Sequence, residues 1–138
     1  MVVTRIISLQ TKGNGDIIDI TPEVERELGA AGVTDGTATI FVTGSTAGVT
    51  TIEFESGLVA DFKAMWERIA PRSIPYDHDR RWQDGNGYAH VRASLLGASL
   101  VIPVHAKKLT LGTWQQIILV DFDNRPCSRE VILQIMGE

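Results

Sequence analysis

The feature that most limits what this chain can fold into is a series of short, β-branched segments set between turn signals, without regular strand–helix–strand alternation. Val2 to Leu9, Asp16 to Ile20, Thr37 to Thr43, Val49 to Glu53, Leu100 to Val104, Gln116 to Phe122 and Glu130 to Met136 all read as strands. Lys12-Gly13-Asn14-Gly15-Asp16 is a strong turn, so the first two strands are expected to pair as a hairpin. Helices are few. Thr21-Pro22-Glu23 opens one, with Thr21 as cap, Pro22 at the first helical position and Glu23 at the positive end of the dipole. Ser56 is expected to cap a second, in which Leu58, Phe62, Met65, Trp66 and Ile69 repeat on one face until Pro71 stops it. Ala89 to Leu96 has helical potential as well. This order predicts an α+β fold: a largely antiparallel β-sandwich with two or three flanking helices.

Length and composition fit one domain over 1–138. The chain is 43% hydrophobic, enough to bury a core without disulfides or a structural metal. The net charge of −4 argues against nucleic acid or an anionic membrane as partner. No apolar run approaches the roughly 18 residues of a membrane span. Cys127 is the sole cysteine, and the N-terminus has no long apolar segment after a basic start, so a reducing cytoplasmic setting is expected.

Chemistry-bearing residues concentrate between Tyr76 and Trp114. His78 and His90 frame Asp79, Asp84 and Asn86, and the loop Asp84-Gly85-Asn86-Gly87 lets the chain turn tightly between them. Imidazole and carboxylate suit a divalent ion such as Zn²⁺. The same groups suit acid–base work near neutral pH, or a polar loop whose histidines bond to nearby carbonyls. His90 lies near the start of a helix, and the glycines allow His78 to approach it, so the two are expected to converge on one metal or one anion. Gly44-Ser45-Thr46-Ala47-Gly48 reads either as an anion cradle built from Ser45, Thr46 and backbone N–H groups or as a bend between strands. Glu53 and Glu55 share one strand face. Trp114 and Gln115 read as a pocket wall or as structural residues. Cys127 has only Arg125 and Arg129 nearby to activate it and is not expected to be a nucleophile. Neither a P-loop nor a dinucleotide fingerprint is present.

The segments G-S-T-A-G-V-T-T-I-E (44–53), Y-D-H-D (76–79), D-G-N-G-Y-A-H (84–90), S-L-L-G-A-S-L-V-I-P-V (94–104) and L-G-T-W-Q (111–115) occur in the order seen in the YjbQ family, and the chain resembles that family over nearly its whole length. The resemblance implies a β-sandwich assembled as a homotrimer. It also implies a site containing His78 and His90, with Asp79, Asp84 and Glu53 near it. Some members are linked to a secondary thiamine-phosphate synthase activity. For this chain that implies a phosphorylated small molecule, a divalent metal (Mg²⁺ or Zn²⁺) held by His78, His90 and Asp79, and substrate contacts from Ser45, Thr46, Asn86, Trp114 and Gln115. Two departures stand out. Many members have His where this chain has Gly44, and Asn where it has Ile52.

Overall fold

A computed structural model describes residues 1–138. In chain order the elements are β1 (Val2–Thr11), β2 (Asp16–Asp19), α1 (Thr21–Ala31), β3 (Gly36–Val42), β4 (Ala47–Ile52), α2 (Ser56–Ile69), α3 (Asp77–Trp82), α4 (Gly87–Leu96), β5 (Ser99–His105), β6 (Lys108–Leu109), β7 (Gln116–Asp121) and β8 (Cys127–Gly137). The architecture is the α+β one expected, with four helices, since the polar segment around His78 forms the additional short helix α3.

All strand pairs are antiparallel, in two sheets of order β1-β8-β3-β5-β6 and β2-β7-β4. The alternation of β8 sets the larger sheet. Arg129, Val131, Leu133 and Ile135 point inward, while Ser128, Glu130, Gln134 and Met136 point out. The hairpin expected of the first two strands does not form. β1 pairs along β8, from Val2 opposite Met136 to Thr11 opposite Cys127, whereas β2 joins β7 in the other sheet. The connection turns through Gly13, Asn14 and Gly15, all at positive φ. It is fastened by Asn14 and Gly15 N–H groups donating to the carbonyls of Asp123 and Asp121. A long partner strand captures β1, and the turn carries the chain across to the second sheet.

β7, the central strand of the smaller sheet, is buried on both faces, which is why it reads as an unbroken apolar run. Ile117 and Leu119 join the main core with Ile40, Val42, Val131, Leu133, Ile135 and the α1 residues Val24 and Leu28. Ile118, Val120 and Phe122 face the other way, against Trp66 of α2 and Tyr88, Ala89 and Ala93 of α4. Trp66 packs edge-on to Phe122 at 5.0 Å and to Phe62 at 5.7 Å. Of the apolar stripe on α2 only Trp66 is fully buried, and Ile69 is exposed.

Two caps differ from expectation. Glu55, not Ser56, caps α2: its carboxylate accepts from the N–H groups of Gly57 (2.7 Å) and Leu58 (2.8 Å). A longer side chain one residue earlier reaches both free N–H groups at once. At α1, Ile20 occupies the cap position without a side-chain bond, and the Thr21 hydroxyl instead accepts from Ile117 N–H (2.8 Å), tying the helix to β7.

Candidate functional site

The site is built where α3 meets α4. Tyr76 enters in extended conformation, α3 makes one and a half turns, and Gln83 and Gly85 at positive φ reverse the chain into Asn86 and α4. Glycine is required at 87, because a Cβ there would lie 2.7 Å from Tyr76 Cβ and 3.0 Å from Asp79 Oδ1. Gly87 N–H donates to Asp79 Oδ1 (2.8 Å), so Asp79 caps α4 from the preceding helix and holds the two together.

That junction brings His78 against His90, with ring centroids 4.3 Å apart and planes tilted by 37°. The two imidazoles therefore meet within a single chain, although the carboxylates gather at His78 and not at His90. His78 Nδ1 is 3.4 Å from Asp84 Oδ1 and 3.7 Å from Asp79 Oδ1. It is buried and has no hydrogen-bond partner. One ligand atom from each of His78, Asp79 and Asp84 falls within 4.8 Å of the others. Burial, and then the neighbouring His78 ring, lower the pKa of His90 from its ordinary value, against the opposing pull of Asp123, Asp84 and Asp79. His90 is accordingly a neutral imidazole at neutral pH, the form that serves as ligand or base.

His90 also borders a cleft of about 310 Å³ with Gly44, Ser45 and Ser94. Ser45 thus shares a cleft with His90, but His78 does not line it. Thr46 does not face this cleft. It is buried, donates to Asp123 Oδ2 (2.9 Å) and accepts from Arg129 Nη2 (2.6 Å). The Asn86 amide lies between the carboxylates of Asp84 and Asp123, and its nitrogen donates to one or the other according to the amide's orientation. Glu53 and Trp114 line a separate cleft with Asp19 and Phe54, so one chain does not bring them to the histidines. Trp114 is largely exposed, not a buried structural residue. Gln115 accepts from Gly112 N–H and donates to Thr51 Oγ1, bracing its own turn. Cys127 is half-buried, and burial raises its thiol pKa, which fits an unreactive residue.

Sequence reasoning missed the buried polar group beneath the site. Arg129 donates from Nε and Nη2 to both oxygens of fully buried Asp121, at 2.7 and 2.8 Å. Asp123 links this pair, through Thr46 and Asn86, to the Asp84 loop. Burial alone would raise the Asp121 carboxyl, but hydrogen bonds from Arg129, Thr11 and the Asp123 N–H outweigh it and hold the group below its ordinary value. The hydrogen bond to Asp121 in turn raises the Arg129 pKa. A signal was available: Arg129 shares the inward phase of Val131, Leu133 and Ile135, where a charge demands a buried partner. Gly44 makes room for this arginine, since a Cβ at 44 would lie 2.7 Å from Arg129 Nη1.

With this geometry in view, the comparisons with known proteins are decisive as to kinship. The family model "UPF0047 protein YjbQ-like" matches residues 5–138. The chain belongs to the YjbQ-like UPF0047 family. A UPF0047 protein of Archaeoglobus fulgidus is 38% identical over 130 residues, covering 94% of this chain and 98% of the relative. UPF0047 protein YugU of Bacillus subtilis is 35% identical over 134 residues, covering 96% and 98%. Among UPF0047 and YjbQ-like crystal structures, a YbjQ-like protein of unknown function from Sulfolobus solfataricus P2 is similar with a TM-score of 0.94 at 35% identity, covering 100% of this chain and 99% of that one. A yjbq/upf0047 family protein from Clostridium acetobutylicum gives 0.87 at 34% identity, covering 96% and 99%.

Proposed function

We propose that this UPF0047 protein is a metal-assisted enzyme acting on a phosphorylated small molecule, with its site at the α3–α4 junction. The observation carrying the reading is the close approach of His78 and His90 beside Asp79 and Asp84. The residues fit a divalent cation. Nitrogen and carboxylate donors converge, and the buried Nδ1 of His78 has no hydrogen-bond partner to compete for its lone pair. His78, Asp84 and Asp79 would hold the ion, with His90 beside them. A bound divalent ion supplies charge neutralisation for a leaving diphosphate. The chain's own part is positional: Asp79 locks α4, Asn86 and Asp123 hold the Asp84 loop, and Ser45 lines the cleft that His90 borders. The family resemblance directs the reaction toward thiamine-phosphate synthesis, in which a pyrimidine methyl diphosphate joins a thiazole phosphate with release of pyrophosphate.

The site is rich in carboxylates, and that favours a second reading, a metal-binding protein without turnover. One experiment separates the two. The purified protein is assayed for pyrophosphate release from the two phosphorylated substrates, with and without Mg²⁺ or Zn²⁺, alongside metal content and zinc titration of His90→Ala. Metal-dependent turnover lost in His90→Ala supports the enzyme. Metal binding weakened at least about tenfold in His90→Ala, without turnover, supports the binding protein. Failure to bind either ion refutes both.

The outward face of the larger sheet supports self-assembly. Ile6 and Phe41 both sit opposite Ile132 in register, and Val2, Val101 and Met136 extend this exposed apolar surface. A homotrimer, in the cytoplasm, completes the proposal. No helix is long and apolar enough to cross a membrane.

A further inference from the structure

Tyr88 and Arg92 stand two residues on either side of His90 on α4, which turns them to the opposite side of the helix. There, between α2, α4 and the start of β2, is a cavity of about 110 Å³ that shares no lining residue with the His90 cleft. Its apolar wall includes Phe62, Trp66 and Phe122. Two of its lining residues carry polar hydrogens that nothing satisfies: Trp66 Nε1 and Tyr88 Oη have no partner, although the residues are only 4% and 3% exposed. An indole N–H can only donate, so an acceptor is missing.

The charge balance points the same way. Arg92 is already engaged by Glu67 (2.8 Å) and the Ala70 carbonyl (3.0 Å). Arg72 donates to the neutral Asn14 amide at 3.2 Å and shares Glu67, the one carboxylate lining the cavity, with Arg92, while Lys63 is in no salt bridge. The Tyr88 ring is held between the guanidinium groups of Arg72 and Arg92, at 4.9 and 5.0 Å. Surplus positive charge, unsatisfied donors and an aromatic wall occur together in a space too small for a nucleotide.

We propose that this cavity is a second binding site, for a small oxyanion: a carboxylate or phosphate whose oxygens pair with Arg72 and Lys63 while any apolar body lies on the aromatic wall that includes Trp66. The test is tryptophan fluorescence of the full chain titrated with benzoate and, separately, with inorganic phosphate. Trp82 and Trp114 are exposed, so a change in blue-edge emission reports Trp66. Saturation by benzoate identifies a carboxylate site, and saturation by phosphate identifies a phosphate site. In either case Lys63→Met and Arg72→Gln, both at exposed positions that leave the fold intact by circular dichroism, weaken binding at least about tenfold. His90→Ala leaves it unchanged, which separates this site from the metal-assisted one. No saturation by either anion up to about 10 mM overturns the proposal, because water alone then fills the cavity. Saturation indifferent to Lys63→Met and Arg72→Gln overturns it equally.

Discussion

Replacing Arg129 by Met tests the buried network on which the candidate site rests. The substitution keeps much of the side-chain volume and removes two hydrogen bonds to Asp121 and one to Thr46. Asp121 has no access to water, so its carboxylate would be left buried without its charge partner. Breaking a buried pair from one side costs about 3–5 kcal/mol. For a domain of this length that corresponds to a fall in Tm of roughly 10–17 °C. The assay is urea denaturation at fixed protein concentration, followed from pH 7 to pH 4. In the wild type the Asp121 pKa is depressed, so its stabilisation is complete above the ordinary carboxyl value of 3.8 and fades as pH falls through the folded value. In Arg129→Met only burial and the weaker Thr11 and Asp123 contacts remain, so the Asp121 pKa rises, and protonation on acidification relieves the variant. The gap between wild type and variant is therefore widest at neutral pH and narrows toward pH 4. Asp121→Asn combined with Arg129→Met recovers part of the loss, giving a non-additive cycle. A loss below about 1 kcal/mol, or a gap that stays constant with pH, would refute the reasoning.

Three further outcomes are expected. Light scattering at micromolar concentration gives about three times the 15.1 kDa chain mass, and a value near one chain mass rules out the assembly. Glu55→Gln lowers the Tm at neutral pH because α2 loses its charged cap; since hydrogen bonds from the Leu58 and Gly57 N–H groups depress the Glu55 pKa, the difference shrinks as pH falls through that lowered value, and a difference unchanged in acid would count against the cap. Cys127→Ser leaves metal binding and any activity unchanged within about twofold, whereas loss of either with the fold intact would show that the half-buried thiol has a role.

The local signals in this sequence were enough for the α+β class, seven of the eight strands (the two-residue β6 was not among them) and the gathering of titratable groups around His78 and His90. Period-two and period-3.6 patterns act over a few residues, and the glycines of the Asp84–Gly87 loop had to permit a tight reversal whatever lay around them. What tertiary structure alone decided was partnership. Nothing between Val2 and Asp19 says that β1 will find β8 more than a hundred residues away while β2 crosses to β7, because strand pairing depends on competing partners across the whole chain. The same holds for Asp79, which reads as a ligand but spends one oxygen capping α4, and for Glu53 and Trp114, which lie apart from the histidines. Arg129 sits between these cases. Its inward phase on β8 was visible in the alternation of that strand, but its partner on β7 and its contact with Thr46 exist only because the two sheets close over one another and leave a buried charge with nowhere else to bond.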